Sequence, residues 1–136
     1  MILIDTSGLL AAIDGSQREH AACANVLTKA RGPLLLSPFV LAELDYLLGS
    51  RVGPHAQKAL LDDVARGAYQ LEPFGASDIA LAGRVIERYA SLRIGVADAS
   101  LVVLADRHRA RDLLTLDRRH FRVVRRLNGK AFRLLP

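Results

Sequence analysis

The chain has 136 residues, of which 51% are hydrophobic and 24% are charged, and its formal net charge is +5 at pH 7. This composition excludes a disordered chain and predicts one globular domain over residues 1–136. Cys23 is the only cysteine, which excludes an internal disulfide and favours a reducing compartment. No apolar run approaches the roughly 18 residues of a membrane span, and Met1–Asp5 lacks the basic start of a signal peptide. We therefore expect a cytoplasmic protein without a membrane partner.

Short apolar runs alternate with longer helical segments along the chain. The runs predict strands at 2–5, 33–37, 69–72, 113–116 and 121–125, and a last edge strand at 131–135. Helices are predicted at 17–30, 38–51, 54–67, 76–91 and 96–110. These predicted strands are largely apolar and do not alternate cleanly between apolar and polar residues, which favours a sheet that is covered on both faces. The predicted fold class is therefore α/β, with a mostly parallel sheet of four to five strands.

Four acidic residues lie where an apolar run ends or a helix begins: Asp5, Glu43, Asp98 and Asp117. Asp5 and Asp117 directly follow predicted strands, Asp98 lies in the first turn of its helix, and Glu43 lies about one and a half turns into its own. Because ligands collect outside the carboxyl ends of parallel strands, all four can face one rim. A buried carboxylate is costly unless it is paired or bound to a cation. The pattern therefore predicts a shared metal site.

The chemistry of this set favours Mg²⁺ or Mn²⁺ over zinc. These ions prefer oxygen ligands, whereas the chain has no cysteine pair and its His residues are scattered. Two carboxylates about 4 Å apart repel by roughly 4 kcal/mol at a surface-like dielectric, and a bound cation relieves that repulsion. One ion, or two, could activate a water molecule and neutralise charge on a phosphodiester.

The positive charge is concentrated near the C-terminus. Residues 104–136 carry ten Arg or Lys and three Asp, a net charge of +7, whereas the first 103 residues carry −2. Nine of the ten are Arg, whose planar fork pairs with phosphate oxygens. A solvated face that only aids solubility is the alternative. Beside a candidate acidic metal site, the Arg residues favour a polyanionic partner.

Four segments of the chain form a pattern when taken together: Asp5-Thr6-Ser7, Ser37-Pro38-Phe39-Val40-Leu41-Ala42-Glu43-Leu44, Ala97-Asp98-Ala99, and Thr115-Leu116-Asp117-Arg118-Arg119-His120-Phe121. In this order and at these intervals they resemble a PIN-domain ribonuclease, and within that family a VapC-type toxin of VapBC toxin–antitoxin pairs. The resemblance covers essentially the whole chain. It implies a three-layer α/β/α sandwich whose acid cluster binds Mg²⁺ or Mn²⁺ and cleaves RNA. It also implies a cognate VapB-type antitoxin, whose C-terminal segment occupies the groove, and a homodimer.

The resemblance also implies roles for individual residues. Asp5 and Asp98 match direct metal ligands, and Glu43 matches an acid that acts through water. Asp117 matches the least constant of the family's acids and is expected to be a further ligand. Ser7 and Thr115 match hydroxyl groups that support the acids or the scissile phosphate. Arg118 and Arg119 flank Asp117, so either could contact an RNA phosphate or pair with one of the acids.

Each acid also has a purely structural interpretation. Asp5 and Asp117 could each cap a helix, Glu43 could be an exposed helix residue, and Asp98 could be favoured by the helix dipole. The coincidence of all four with the family pattern favours the metal site. The apolar stretch at 9–13 could pack inside the monomer or form part of a dimer face.

Three other functions compete with an endoribonuclease. One is a non-catalytic RNA- or protein-binding module of the same fold, and another is a PIN-related DNA nuclease, although those are usually much longer. The third is a different phosphoryl-transfer enzyme. A phosphatase would usually have a second Asp where Ser7 stands, and a receiver domain would carry a Lys within 113–117, where none occurs.

Overall fold

A computed structural model describes residues 1–136 and places five parallel strands in one sheet. The strands are β1 (Ile2–Ile4), β2 (Leu34–Leu36), β3 (Gln70–Leu71), β4 (Asp112–Leu114) and β5 (Arg133–Leu135). Their order across the sheet is β3-β2-β1-β4-β5, so β1 is central. The α/β class and the parallel sheet predicted from the sequence are confirmed.

Seven α-helices connect and cover these strands. They are α1 (Thr6–Ile13), α2 (His20–Lys29), α3 (Pro38–Arg51), α4 (Pro54–Ala65), α5 (Ala76–Arg88), α6 (Val96–His108) and α7 (Arg118–Phe121), with a 3-10 turn at Ala90–Leu92. Consecutive side chains of a strand point to opposite faces of the sheet. Both Leu3 and Ile4 are fully buried, as are Leu113 and Leu114. Both faces are therefore covered, as in a three-layer α/β/α sandwich.

The connections place a topological switch point between β1 and β4. From β1 the chain proceeds outward through β2 to β3, and it then returns to the other side of β1 to form β4. The two strands remain joined beyond their last paired residues, since the Asp5 amide donates to the Leu114 carbonyl at 3.0 Å. Ligands of open α/β sheets bind in the crevice at such a point. The residues that follow β1 and β4 therefore lie where a binding site is expected.

The structure corrects one predicted strand. Residues 121–125 do not form a strand, because the chain turns into α7 directly after β4. The Asp117 carboxylate accepts a hydrogen bond from the His120 amide and so caps this short helix. The apolar Phe121 packs into the core from α7, and Val124 packs into it from the irregular segment that follows, rather than from a strand. The fifth strand is the predicted edge strand at 131–135, observed as β5.

Like α7, α1 is absent from the helices predicted from the sequence. α1 begins at Thr6, immediately after β1, and contains the apolar stretch at 9–13. Leu9, Leu10 and Ala11 are buried within this chain, which assigns the core of that stretch to the monomer. The five predicted helices are confirmed, α3 with its predicted bounds and the other four with shifted ends. Ser37 caps α3 by accepting a hydrogen bond from the Phe39 amide. None of the helices is both long and apolar enough to cross a membrane.

Candidate active site

Asp5 forms the floor of a cleft at the carboxyl ends of β1 and β4. Its side chain is only 5% exposed, and one carboxylate oxygen, Oδ2, accepts hydrogen bonds from Ser7 Oγ at 2.6 Å and Thr115 Oγ1 at 2.7 Å. Burial raises the pKa of Asp5, while these two bonds oppose the rise. Although Asp5 occupies the N-cap position of α1, its side chain makes no capping hydrogen bond. Helix capping therefore does not explain this carboxylate.

Ser7 and Thr115 bind the ends of the two strands together around Asp5. The two hydroxyl oxygens are 3.2 Å apart, and each also accepts a backbone hydrogen bond. Ser7 Oγ accepts from the Leu116 amide at 3.0 Å, and Thr115 Oγ1 accepts from the Asp117 amide at 2.9 Å. Both side chains are thus tied to the backbone that leads to Asp117. They orient Asp5 and anchor the backbone that leads to Asp117.

Asp117 has two partners from α7. Its Oδ1 accepts from the His120 amide at 3.1 Å, and its Oδ2 lies 2.7 Å from His120 Nδ1. The structural interpretation of Asp117 as a helix cap is therefore correct. Asp117 and His120 also both line the cleft. The same carboxylate can cap α7 and present negative charge to a ligand.

Asp98 is a second acid whose pKa the site raises. Burial raises its pKa to about 6 from the usual 3.8, and the negative charges of Asp5 and Asp117 add to this rise. His120 opposes the rise, and Glu43 contributes a smaller increase. Each of the other three predicted acids therefore raises the pKa of Asp98. A perturbed acid of this kind, in a cleft, is typical of functional sites.

Glu43 contributes the fourth carboxylate from α3. It is exposed and lines the cleft, whereas Asp45, two residues later, accepts hydrogen bonds from Gln57 on α4. Helix residues two positions apart point in directions about 200° apart, so the side chains of Glu43 and Asp45 lie on different faces of α3.

The cleft has a volume of about 710 Å³. It is lined by Asp5, Thr6, Ser7, Leu10, Phe39, Ala42, Glu43, Leu47, Arg51, Gly95, Val96, Ala97, Asp98, Asp117 and His120.

Two predicted contact residues lie outside this lining. Arg118 donates from Nη2 to the carbonyl of Pro136 at 2.7 Å, and Arg119 is exposed on α7. Sequence reasoning placed both beside Asp117 because they follow it directly. Successive helix residues point in different directions, about 100° apart, so adjacency did not place them in the cleft. Their contact with a ligand stays a prediction.

Two lining residues were missed by sequence reasoning. Thr6 is 4% exposed, and its buried hydroxyl oxygen has no hydrogen-bond partner within the chain. Arg51 lies at the end of α3, eight residues after Glu43, and is the only Arg or Lys among the lining residues. Positions four and eight residues apart share one helix face, which is the signal that would have identified Arg51. The segment Asp5-Thr6-Ser7 gave no means of separating Thr6 from its neighbours.

The acids do not form a ready-made cage for a metal ion. No three His, Cys, Asp or Glu side chains converge closely enough to hold an ion by themselves. Magnesium, however, usually takes only one or two carboxylates and completes its shell with water and substrate phosphate oxygens. The hard oxygen donors of Asp5 and Asp98, both with raised pKa values, suit this mode of binding. The residues present therefore fit Mg²⁺ or Mn²⁺.

Ionisation of Asp98 should destabilise the metal-free protein. Its folded-state pKa of about 6 lies above the usual value of 3.8, so its stabilising contribution is complete below about pH 4 and is lost as the pH rises through 6. We expect Asp98→Asn to have a higher Tm than the wild type at pH 7 in EDTA, with little difference near pH 4. Thermal unfolding across this range measures the effect. Asp106→Asn, an exposed change on the same helix, is the matched control; an equal pH-dependent gain there would contradict the assignment.

The fold and the acid-lined cleft define a PIN domain. Residues 2–127 match the PIN domain family, and the chain belongs to that family. Over 135 residues it is 47% identical to Ribonuclease VapC26 of Mycobacterium tuberculosis (strain ATCC 25618 / H37Rv), an alignment that covers 99% of this chain and 100% of that protein. The resemblance to VapC-type PIN-domain proteins inferred from the sequence is confirmed.

Solved structures of VapC proteins share the fold. The crystal structure of VapC20 from Mycobacterium tuberculosis, described as a toxin that cleaves the sarcin-ricin loop, superposes with a TM-score of 0.81 at 19% identity, covering 87% of this chain and 91% of VapC20. VapBC2 from Rickettsia felis, bound to a DNA fragment from its promoter, gives a TM-score of 0.70 at 19% identity, with full coverage of both chains. At this identity the likeness establishes the common architecture.

Proposed function

We propose that this protein is a Mg²⁺- or Mn²⁺-dependent endoribonuclease and the toxin of a type II toxin–antitoxin pair. The observation that carries the proposal is the convergence of Asp5, Glu43, Asp98 and Asp117 on one cleft at the switch point of the sheet. The 47% identity to Ribonuclease VapC26 over nearly the whole chain supports RNA as the substrate class.

Asp5 and Asp98 would hold the metal ion, with Asp117 as a further ligand and Glu43 acting through water. When bound, the ion supplies a Lewis acid that increases the acidity of a water molecule and offsets negative charge on the phosphodiester. Burial is the largest cause of the raised pKa values of Asp5 and Asp98, so their charged forms are poorly solvated, and neighbouring acids add to the rise. A divalent cation is the ligand that such a set of carboxylates lacks.

The other side chains hold these acids in place. Ser7 and Thr115 fix the rotation of the Asp5 carboxylate through bonds to a single oxygen, which leaves Oδ1 free of side-chain donors. His120 fixes Asp117 in the same way. Groups that are already oriented need little reorganisation when a substrate binds, which is the main contribution of a protein to electrostatic catalysis.

The proposed macromolecular partner is a VapB-type antitoxin, and the active form is proposed to be a homodimer. The cleft combines an acidic end with apolar side chains such as Leu10, Phe39 and Leu47, a surface that suits a segment carrying both basic and apolar residues. The structural similarity to the VapC fold of VapBC2 supports the same kind of pairing. A small DNA-binding protein encoded by the adjacent upstream reading frame would support the assignment.

Metal dependence is tested with total RNA. We expect the purified protein, freed of any partner, to make discrete cuts in the presence of Mg²⁺ or Mn²⁺ and none in EDTA, with 5′-phosphate and 3′-hydroxyl ends. End mapping identifies both the chemistry and the target. Retention of RNA without cleavage would instead indicate a non-catalytic binding module, and cleavage of single-stranded DNA alone would indicate a DNA nuclease.

A further inference from the structure

One face of α3 runs the length of the cleft, and the side chains on it change from acidic to apolar to basic. Glu43, Leu47 and Arg51 follow one another at intervals of four residues, and all three line the cleft. Residues at this spacing stack along one face of a helix. The eight residues from Glu43 to Arg51 correspond to about 12 Å along the helix axis. The cleft therefore has an acidic end, an apolar middle and a basic end.

Arg51 is the cleft's one Arg or Lys, and it has no partner within the chain. Its side chain makes no hydrogen bond and no ion pair, although it shares the cleft with four carboxylates. Elsewhere the chain does pair Arg residues with acids: Arg107 contacts Asp78 at 2.9 Å, and Arg66 contacts Asp63 at 2.7 Å. An exposed, unpaired guanidinium at the end of an acidic cleft is thus available for an anionic ligand.

A position in the last turn of a helix gives Arg51 one structural function. A cation there interacts favourably with the helix dipole, and α3 ends at Arg51. That interaction requires only a positive charge near the helix end. It does not require the residue to share a cleft with Glu43 and Leu47.

We propose that Arg51 binds a phosphate group of single-stranded RNA other than the phosphate that is cleaved. This inference rests on the proposed ribonuclease function. The scissile phosphate would lie at the acidic end, so Arg51, whose backbone lies about 12 Å further along α3 than that of Glu43, would contact a different phosphate of the same strand. Leu47 lies between the two positions and offers an apolar surface to the intervening nucleotide. The planar fork of Arg matches two phosphate oxygens.

An acidic peptide is the competing ligand for Arg51. Such a peptide would have to extend from Arg51 toward Asp98 and Glu43, where its own carboxylates would be repelled. RNA differs, because the proposed cation at the acidic end would attract another phosphate of the same strand. The distribution of charge along α3 therefore favours RNA.

The test compares two substitutions of Arg51 and one control substitution in a variant that is expected not to cleave RNA. Asp98→Asn proteins carrying Arg51→Ala, Arg51→Lys or the control Arg31→Ala are titrated with a short, labelled single-stranded RNA of random sequence at several salt concentrations. Arg31 is exposed, has no partner within the chain and lies outside the cleft, so its removal changes the net charge equally. We expect Arg51→Ala to bind about tenfold more weakly, the change typical of one charged contact. The slope of log K against log salt should fall in magnitude by about 0.7, corresponding to one phosphate contact on a single strand.

The pattern of results separates this inference from the proposed function. Arg31→Ala should retain the affinity and the salt slope of its parent, and Arg51→Lys should retain most of the slope while losing two-point binding. Equal behaviour of Arg51→Ala and Arg31→Ala, with metal-dependent cleavage by the wild type intact, would overturn the Arg51 contact alone. Unchanged RNA binding with weakened binding of the antitoxin would assign Arg51 to the protein partner. Absence of both RNA binding and cleavage in the wild type would overturn both proposals.

Discussion

The Asp5→Asn variant is expected to fold normally and to lose metal-dependent RNA cleavage by about 10²–10³-fold or more, the loss typical when one preorganised electrostatic group is removed. Asn retains an oxygen that can accept the bonds from Ser7 and Thr115, so the connection between β1 and β4 should remain. The substitution removes a negative charge that burial already disfavours, as the raised pKa of Asp5 indicates. We therefore expect a Tm equal to or above that of the wild type. Cleavage rates at saturating Mg²⁺ and thermal unfolding are the two measurements.

Asp62→Asn is the matched control for this experiment. Asp62 is an exposed residue of α4 that pairs with Lys58, so its loss changes the net charge equally without touching the cleft. Its cleavage rate should stay close to that of the wild type. Wild-type cleavage by Asp5→Asn, in a preparation free of contaminating nuclease, would exclude the proposed mechanism. A parallel loss in both variants would show that net charge, rather than the cleft, determines the rate.

The acidic site could be predicted because it depends on topology more than on exact element boundaries. Strand–helix alternation implies a parallel sheet, and acids that follow the strands then meet at one edge. An error of one or two residues in the end of β1 or β4 leaves Asp5 and Asp117 at that edge. The position of Glu43 was predicted from its distance to Ser37 along the sequence. The structure confirms that Ser37 caps α3.

The missed elements are those in which burial or a side-chain contact overrides the sequence pattern. α1 has no polar face in its apolar stretch at 9–13, so the helical period is hidden, and Gly8 further weakens the helical signal. The apolar residues Phe121, Val123 and Val124 indicated a strand, but the Asp117 cap initiates α7 instead. The local cap by Asp117, rather than the apolar pattern of the residues after it, determined the structure of this segment.

Gly8→Ala is expected to destabilise the protein by about 1–3 kcal/mol despite the higher helix propensity of Ala. A Cβ at Gly8 would lie 2.7 Å from the carbonyl oxygen of Leu114 and 2.9 Å from its carbonyl carbon. That carbonyl cannot easily move away, because it accepts a hydrogen bond from the Asp5 amide at 3.0 Å. The clash would force α1 away from β4. Urea unfolding monitored by circular dichroism gives the change in the free energy of unfolding.

Gly83→Ala in α5 is the matched control, and its expected effect has the opposite sign. A Cβ at Gly83 would meet no atom within 4 Å, so Ala should stabilise the helix by about 0.5–1 kcal/mol. The Gly8 substitution should also slow cleavage, because displacement of α1 separates Ser7 from Thr115, whose hydroxyl oxygens lie 3.2 Å apart. Equal stabilisation by both substitutions would mean that α1 does not pack against β4 as closely as described. Destabilisation at Gly8 alone, together with slower cleavage, would show that the close contact between α1 and β4 orients the Asp5 carboxylate.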